Sequence, residues 1–536
     1  MEIIKSLNTM KKIILLNYVL LSFLIIGILP NISAQQHNQN WYFGNQAGIN
    51  FNDGTSPSTL SADGAMNAPA GSASVSNELG QLLFYTNGET VWNGNHTIMS
   101  NGHLIGDAEV SQSAVIVPKP DDSGKYYIFS NSANNPAHPG LRYSVVDMSL
   151  DGGLGDIDTV EKDVLLLTTC SEKMTTVINP FENSYWLVVF GPSNDLTRYD
   201  TFYTYKIDPV QGIQVAVVSN FTPPPAPVDP FNPGPGEFDR NNPEHLAMSA
   251  ISTPFQATNY SYAPYSGGQM KISPDFISLA LVHNVNDRGQ NSDAVFTFSF
   301  NPTNGLVTSI SSHYLSFLFN YSNTYYYGAE FSPDSQQLFV STFEKDQNGF
   351  GAVIRIRNFI PDEIPTTYDV MNISGTRDPV FSLQLGIDGL IYVSRGDLSY
   401  MDIITNPNES DIDLFNYSYG GVIGGGFDLG SKIGGQGLPQ LVPEVFLNFT
   451  LKYLPKKPVL QANPFKEELK LKFKFIQTYT IQAYNSNGAL YKSTEYKALN
   501  RQIYKYDTSN WPQDTYYLVI SDELGQTWYK TAIKVL

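Results

Sequence analysis

The sequence predicts an all-β protein, and three observations carry that reading. No long stretch sustains the 3.6-residue periodicity of a helix, while 33 prolines and 42 glycines are spread along 536 residues. One theme, an apolar strand, a tight polar turn and a second apolar strand, returns six times across the body. After Pro455 the chain shows strand-like stretches punctuated by Asn-Pro, Asn-Gly and Leu-Gly turns, the pattern of a β-sandwich module.

The chain opens on a leader. Lys5, Lys11 and Lys12 precede an apolar run over 13–29, and Asn31-Ile32-Ser33-Ala34 then offers a small-residue cleavage site before Gln35. This tripartite layout predicts a secretory signal peptide over 1–34, cut between Ala34 and Gln35. No later stretch is apolar and long enough for a helix to span a bilayer, so the mature chain is expected to lack a transmembrane helix.

Residues 35–454 form the body and 455–536 the tail, joined through Pro455-Lys456-Lys457-Pro458. The whole chain carries −18; the leader contributes +2 and the tail +5, which leaves −25 on the body. A field of that sign repels polyanions, so nucleic acid is not an expected partner. The single cysteine, Cys170, rules out an intramolecular disulfide framework, and beside the apolar run 164–167 it reads as a small buried hydrophobe.

The six repeats begin at Gly71, Gln112, Met174, Gly268, Gly328 and Phe381. In each, β-branched and aromatic residues flank a turn of Asn, Asp, Gly, Pro or Ser, which is hairpin chemistry. Their spacing of roughly forty to ninety residues fits four-stranded blades with unequal loops, hence a β-propeller of six or seven blades. A seventh blade is expected either around 201–219 or by pairing of the two ends, since Trp41 and its neighbours and the segment from Gln436 both read as strands. Closure by both ends removes the unpaired edges of an open sheet.

Two resemblances follow from particular motifs. Ser273-Pro274-Asp275, Ser332-Pro333-Asp334 and Ile387-Asp388-Gly389 are similar to the hairpins of WD-like and TolB-like propeller repeats. Trp41 to Asn45, Asp63-Gly64-Ala65-Met66, Phe84 to Gly88, Val91-Trp92-Asn93, Gln112-Ser113-Ala114, the Gly152 to Asp156 stretch and Tyr327 to Asp334 resemble the propeller of many type IX-exported surface proteins of Bacteroidetes. The tail resembles the C-terminal sorting domain of that secretion system, through Asn463-Pro464-Phe465, Asn487-Gly488, Tyr516-Tyr517-Leu518 and a basic last strand with Lys530 and Lys534. It departs from the family where Asp514-Thr515 stands in place of a small residue. The resemblance implies an immunoglobulin-like sandwich and, as partners, the type IX secretion machinery and surface lipopolysaccharide. It also implies removal of the tail after export and an extracellular or outer-surface address.

Candidate sites are few. No HExxH, Gly-x-Ser-x-Gly or Gly-rich phosphate loop occurs, and the seven histidines show no ligand spacing. No catalytic residue is assigned. Asp151, Asp156 and Asp158 lie in an oxygen-rich, glycine-bearing stretch of the kind that holds Ca²⁺, the one candidate cofactor; without the spacing of an EF-hand, a solvated connecting hairpin is the competing reading. Asp158-Thr159-Val160 resembles the Bacteroidetes O-glycosylation sequon, which would place a glycan on Thr159. Tyrosine runs at Tyr126-Tyr127, Tyr260-Ser261-Tyr262 and Tyr325-Tyr326-Tyr327 are candidates for a ring-lined face that stacks on sugars, although alternation in a strand buries every second ring. The Pro-rich stretch 221–245 reads as an extended surface loop.

Together these predict a secreted or cell-surface propeller that binds an extracellular glycan or protein. Two rivals stay open: a polysaccharide lyase or glycosidase on the same scaffold, and a structural adhesin.

Overall fold

The computed structural model describes residues 37–51, 59–60, 63–133, 135–179, 182–193, 199–221, 267–283, 286–287, 290–291, 294–313, 324–344, 351–356, 368–372, 379–409, 417–418, 426–441, 459–461, 463–473, 477–498, 503–522 and 527–535. The leader with Ala34 and Gln35, nearly all of the Pro-rich stretch, Tyr260, Tyr262 and the 455–458 linker lie outside the described residues.

Each of the six repeats is the first hairpin of one antiparallel sheet. The hairpins are Ser72–Ser76 with Leu82–Thr86, Ala114–Pro118 with Lys125–Asn131, Met174–Ile178 with Tyr185–Pro192, Met270–Ile272 with Ser278–His283, Thr324–Phe331 with Leu338–Glu344, and Leu383–Leu385 with Ile391–Val393. Further antiparallel strands continue each sheet outward to four or five strands. The opening of the body makes a seventh sheet from Asn40–Asn45, Ala47–Asn50, Thr59–Leu60 and Asn67–Ala68. We number these blades 1 to 7 in chain order, starting with the opening sheet. The stretch 201–219 is not a blade of its own. Its strands Tyr199–Asp208 and Val217–Asn220 complete blade 4, and the extra blade is the opening sheet instead.

The reason for these elements is local. In three of the hairpin turns the fourth residue takes a left-handed backbone, Phe276 at φ 65°, Ser335 at φ 59° and Gly389 at φ 83°. Only the last is glycine, so the other two are held by side chains: Ser273 Oγ donates to Asp275 at 2.5 Å and Ser332 Oγ to Asp334 at 2.7 Å. Second strands are buried on both faces, as the unbroken burial of YWLVVFGP over Tyr185–Pro192 shows, which explains their continuous apolar runs.

Apolar layers join every neighbouring pair of blades, so the ring is closed. Blades 2, 3 and 4 share one core that includes Val75, Phe84, Val115, Ile128, Cys170 and Leu187. Phe202 and Phe298 join blades 4 and 5, Val282 and Phe331 join 5 and 6, and Val353 and Leu385 join 6 and 7. Trp41, Ile49 and Phe51 pack on Tyr392 and Met401 to join 7 to 1, and Tyr42, Tyr85 and Trp92 join 1 to 2.

The two ends meet as expected. Pro439–Gln440 pairs in parallel with Ser72 and Ala73 on the axial edge of blade 2, and Ile433 bridges to Asn45 of blade 1. This returning segment is glycine-rich because it lies against backbone. A Cβ on Gly435 or Gly437 would overlap the carbonyls of Ala68 or Ala70, and Gly44, at φ 56°, faces the same segment from blade 1.

The tail forms a two-sheet sandwich of three strands against four, with Phe465, Leu469, Leu471, Ile481, Tyr516, Leu518 and Ile520 between the sheets. Its strands include Leu490–Ala498 and Ile503–Asp507, whose frequent charged and polar residues hide them in the sequence.

Candidate functional site

The axis of the ring is polar, and the family-like motifs converge there. Gln112, at the start of blade 3, is fully buried; its Oε1 accepts from the backbone N–H of Met174 at 3.2 Å and Met270 at 2.9 Å, and its Nε2 donates to Met270 O at 3.1 Å. One side chain thus fastens three blades. Gln269 repeats the device from blade 5, accepting from Ala329 N at 3.2 Å and Leu383 N at 3.0 Å. Glu172 accepts from both the backbone N–H and the hydroxyl of Ser111, at 2.9 and 2.7 Å. These atoms replace a hydrophobic seam where seven inner strands converge with too little room for large side chains.

Further along the axis sits a charged pair. Lys271 Nζ is 3.4 Å from Glu330 Oε2 and also donates to Gln384 Oε1, and both charged side chains are almost fully buried. Glu330 takes backbone N–H bonds from Phe331 at 2.9 Å and Leu385 at 3.0 Å, so its carboxylate is solvated by peptide groups in place of water. Burial pushes the Lys271 ammonium down, and Glu330 pulls it back up. Lys173 is pushed down to about 8 by burial, with Glu172 opposing. Burial raises the Tyr327 phenol.

Beside the Lys271–Glu330 pair is a cavity of about 40 Å³, lined by Thr176, Lys271, Glu330, Gln384 and Gln440 with an apolar side of Val177, Ile272, Phe276 and Leu441. The buried Thr176 Oγ1 and Gln440 Nε2 have no hydrogen-bond partner. Gln440 arrives on the returning segment that closes the ring, so closure also completes this cavity.

A second cluster lies between blades 1 and 2. Tyr42, Tyr85 and Trp92 stack with centroids 4.5 and 5.6 Å apart. His96 Nε2 is 3.2 Å from Asp63 Oδ2, its Nδ1 is 3.2 Å from the Tyr85 hydroxyl, and Tyr42 donates to Asp63 at 2.9 Å. Gly64 is required there, because a Cβ would come 2.9 Å from the Tyr42 ring. The Tyr85 side chain is fully buried, and that burial holds its phenol up at about 12.

The aromatic runs behave differently from a stacking face. Tyr126, Tyr127, Tyr326 and Tyr327 are all buried, since they fill layers between blades. Among the described residues the large exposed rings are Tyr491, Tyr517 and Tyr529, all on the tail.

The acidic stretch is dispersed. Asp156 accepts from Asn101 backbone and side chain at 2.9 and 2.7 Å, tying blade 3 to blade 2. Asp158 caps Val160 N at 2.8 Å and Asp151 stands exposed in a turn. The three are not brought together, and among the described residues no group of three metal-ligating side chains forms. Thr159 is exposed beside Val160, which is 85% exposed.

The tail motif assembles into one clip. Asn463 Nδ2 donates to Thr531 O at 2.9 Å and its Oδ1 accepts from Ile533 N at 2.8 Å. Pro464 is exposed, and Phe465 is buried and pairs in parallel with Lys534. Lys534 Nζ donates to Thr508 O at 2.9 Å and to Lys466 O. Tyr516 faces the core while Tyr517 faces out, Lys530 pairs with Leu518, and Gly488, at φ 77°, makes the Asn-Gly turn. Asp514, the departure from the family pattern, accepts from Ser486 N and Oγ at 3.2 and 3.0 Å and so holds that turn.

Several solved structures are similar over most of the chain at low identity. A periplasmic gluconolactonase of Pseudomonas aeruginosa shares 10% identity over 87% of this chain and 98% of its own, with a TM-score of 0.35. A proposed 6-phosphogluconolactonase of Bacteroides uniformis shares 11% over 88% and 100%, with a TM-score of 0.34. An exo-β-1,3-galactanase of Phanerochaete chrysosporium shares 8% over 82% and 94%, with a TM-score of 0.31. Among curated proteins none matches. Residues 462–534 match the family model described as the secretion system C-terminal sorting domain. With the clip of Asn463, Phe465 and Lys534 formed in that segment, the tail is a type IX sorting domain, and the chain is a cargo exported to the cell surface or the extracellular space.

Proposed function

We propose that the exported propeller is a recognition module that binds an extracellular glycan through its faces, and that the polar groups of its axis hold the ring together. The observation that carries this reading is the engagement of the axial carboxylates and amides. Gln112, Glu172, Gln269 and Glu330 each accept hydrogen bonds from peptide groups, mostly across blade boundaries. A general acid or base must reach its substrate within hydrogen-bond distance. These groups are turned toward backbone instead, and a rigid ring so fastened is a scaffold for variable loops.

The experiment is a binding screen of the secreted mature chain against a broad panel of polysaccharides, with and without EDTA. Binding to a subset that survives EDTA supports the reading. EDTA-sensitive binding would bring calcium back to Asp151, Asp156 and Asp158. Silence across the panel would turn the reading toward a protein partner. Glycosylation of Thr159 belongs to the same proposal: intact-mass analysis of secreted chain is expected to show a glycan that Thr159→Ala removes.

A further inference from the structure

We infer that the outer face of the tail's four-strand sheet is the surface that the export machinery reads, through an uncharged, apolar and aromatic protein contact centred on Tyr517 and Tyr529. The assignment is independent of the recognition reading of the ring. It goes beyond the family match, which gives the tail its role and no surface.

The sheet consists of Gln477–Tyr484, Leu490–Ala498, Thr515–Asp522 and Thr527–Ile533. Alternation turns Ile481, Tyr516, Leu518 and Ala532 into the sandwich core. The register then leaves two rows outside: Tyr484 opposite Tyr517 and Tyr517 opposite Thr531, then Gln482 opposite Val519 and Val519 opposite Tyr529. Tyr517 and Tyr529 are therefore diagonal neighbours about 7–8 Å apart, 49% and 72% exposed. Exposed Leu490, opposite Tyr484, and exposed Ile533, two residues beyond Thr531, extend the same face.

Charge singles this face out. The tail carries +5, yet the outward positions of Gln477–Tyr484, Thr515–Asp522 and Thr527–Ile533 hold no charged residue, and the first charge on that face is Glu495, opposite Thr480 on the outermost strand. The other sheet, by contrast, sets Lys470 directly opposite Lys505 on its outer side. Protein interfaces lose charge and gain tyrosine at their centres, and exposed apolar surface on a monomer marks a contact site. Val519, Ile533 and Leu490 among the rings suit a desolvated protein contact better than the hydroxyl-rich surface of a sugar.

Size argues for a partner that lets go. Four strands about 4.8 Å apart and about 27 Å long make a face of roughly 500 Å², below the ~800 Å² per partner of a stable interface. Two copies would not hold together through it, whereas a receptor that must release its cargo needs only a transient contact.

The test is export of the full chain from its native host, read as the share found in the medium or open to protease on intact cells. Tyr517→Glu with Tyr529→Glu is expected to cut that share at least about tenfold, while Tyr517→Phe with Tyr529→Phe, and Lys505→Glu on the other sheet, leave it within about twofold of wild type. Trypsin resistance of the retained tail checks its folding; if the glutamates unfold it, Tyr529→Ser alone is expected to cut export about threefold. Wild-type export of the folded glutamate variant, of Tyr529→Ser where that variant replaces it, or an equal loss in Lys505→Glu, would overturn the inference. So would a wild-type dimer in sedimentation that the glutamates dissolve, which would give the face to a second copy, or polysaccharide binding that they abolish, which would give it to a glycan.

Discussion

Lys173 and Cys170 sit three residues apart on the approach to blade 4, and both are fully buried titratable groups. The Lys173 ammonium titrates near 8 in the folded chain against 10.5 unfolded, because burial penalises its charge. Between those values the unfolded chain binds the extra proton, so this residue makes stability rise with pH from about 8. Above pH 10 the tyrosines oppose it: Tyr85 and Tyr127 are held up at about 12 against 10, so the unfolded chain loses phenolic protons first. Urea midpoints are expected to increase between pH 8 and 10, and the increase is expected to shrink in Lys173→Met. Cys170, whose thiol is pushed up to about 12, is expected to resist iodoacetamide at pH 8 until urea unfolds the chain. Both residues are hidden from sequence reasoning in different degrees. Cys170 is legible as a small buried hydrophobe from its apolar neighbours, whereas nothing local to Lys173 announces a buried amine, since its burial comes from packing in the assembled ring.

At the scale of elements, the returning segment 430–441 decides whether the ring closes. Gly435 and Gly437 lie where a side chain would strike backbone, and Gln436 N donates to Pro69 O at 2.8 Å while Ser382 N donates to Gln436 O at 3.1 Å. Gly437→Val is expected to cost several kcal/mol, the scale of overpacking plus lost closure, and to expose blade 1 to proteases. Limited proteolysis with intact-mass readout checks this; an unchanged digestion pattern would mean that the closure is dispensable. The hairpins were legible because each is local: strand, turn and strand lie within about twenty residues and carry their own turn chemistry. The blade count was less legible. Blade 1 takes its inner strand, Asn67–Ala68, from after its outer ones, and that order breaks the repeat. The axial site was legible only as motif residues without roles. Gln112 and the Tyr327 to Glu330 stretch stand out in the sequence, but the strands they fasten lie far along the chain, Gln112 reaching 158 residues to Met270. The tyrosine runs misled for the opposite reason. A blade strand packed on both faces buries consecutive rings, so alternation does not bring one of each pair to the surface.

The whole molecule divides between a propeller ring, for which we propose recognition, and a sandwich that addresses the chain for export. In the sandwich, Phe465 is buried and its backbone bonds the last strand, Phe465 N to Ile533 O and Val535 N to Phe465 O at 2.9 Å each. Phe465→Ala is expected to cost about 3–5 kcal/mol within that domain and to leave the chain inside the cell, as fractionation would show. Lys534→Arg, which keeps charge while losing the compact fit to the carbonyls of Lys466 and Thr508, is expected to have a milder effect. In the ring, the central claim is that axial groups bond backbone and do not turn over substrate. The direct measurement is a prolonged incubation of the secreted chain with whichever polysaccharide it binds, followed by mass spectrometry of the soluble fraction. Binding with the polymer recovered at its original length is the predicted result. New reducing or unsaturated ends, lost in Glu330→Gln or Glu172→Gln variants shown to be folded, would contradict the account and make the axis an active site.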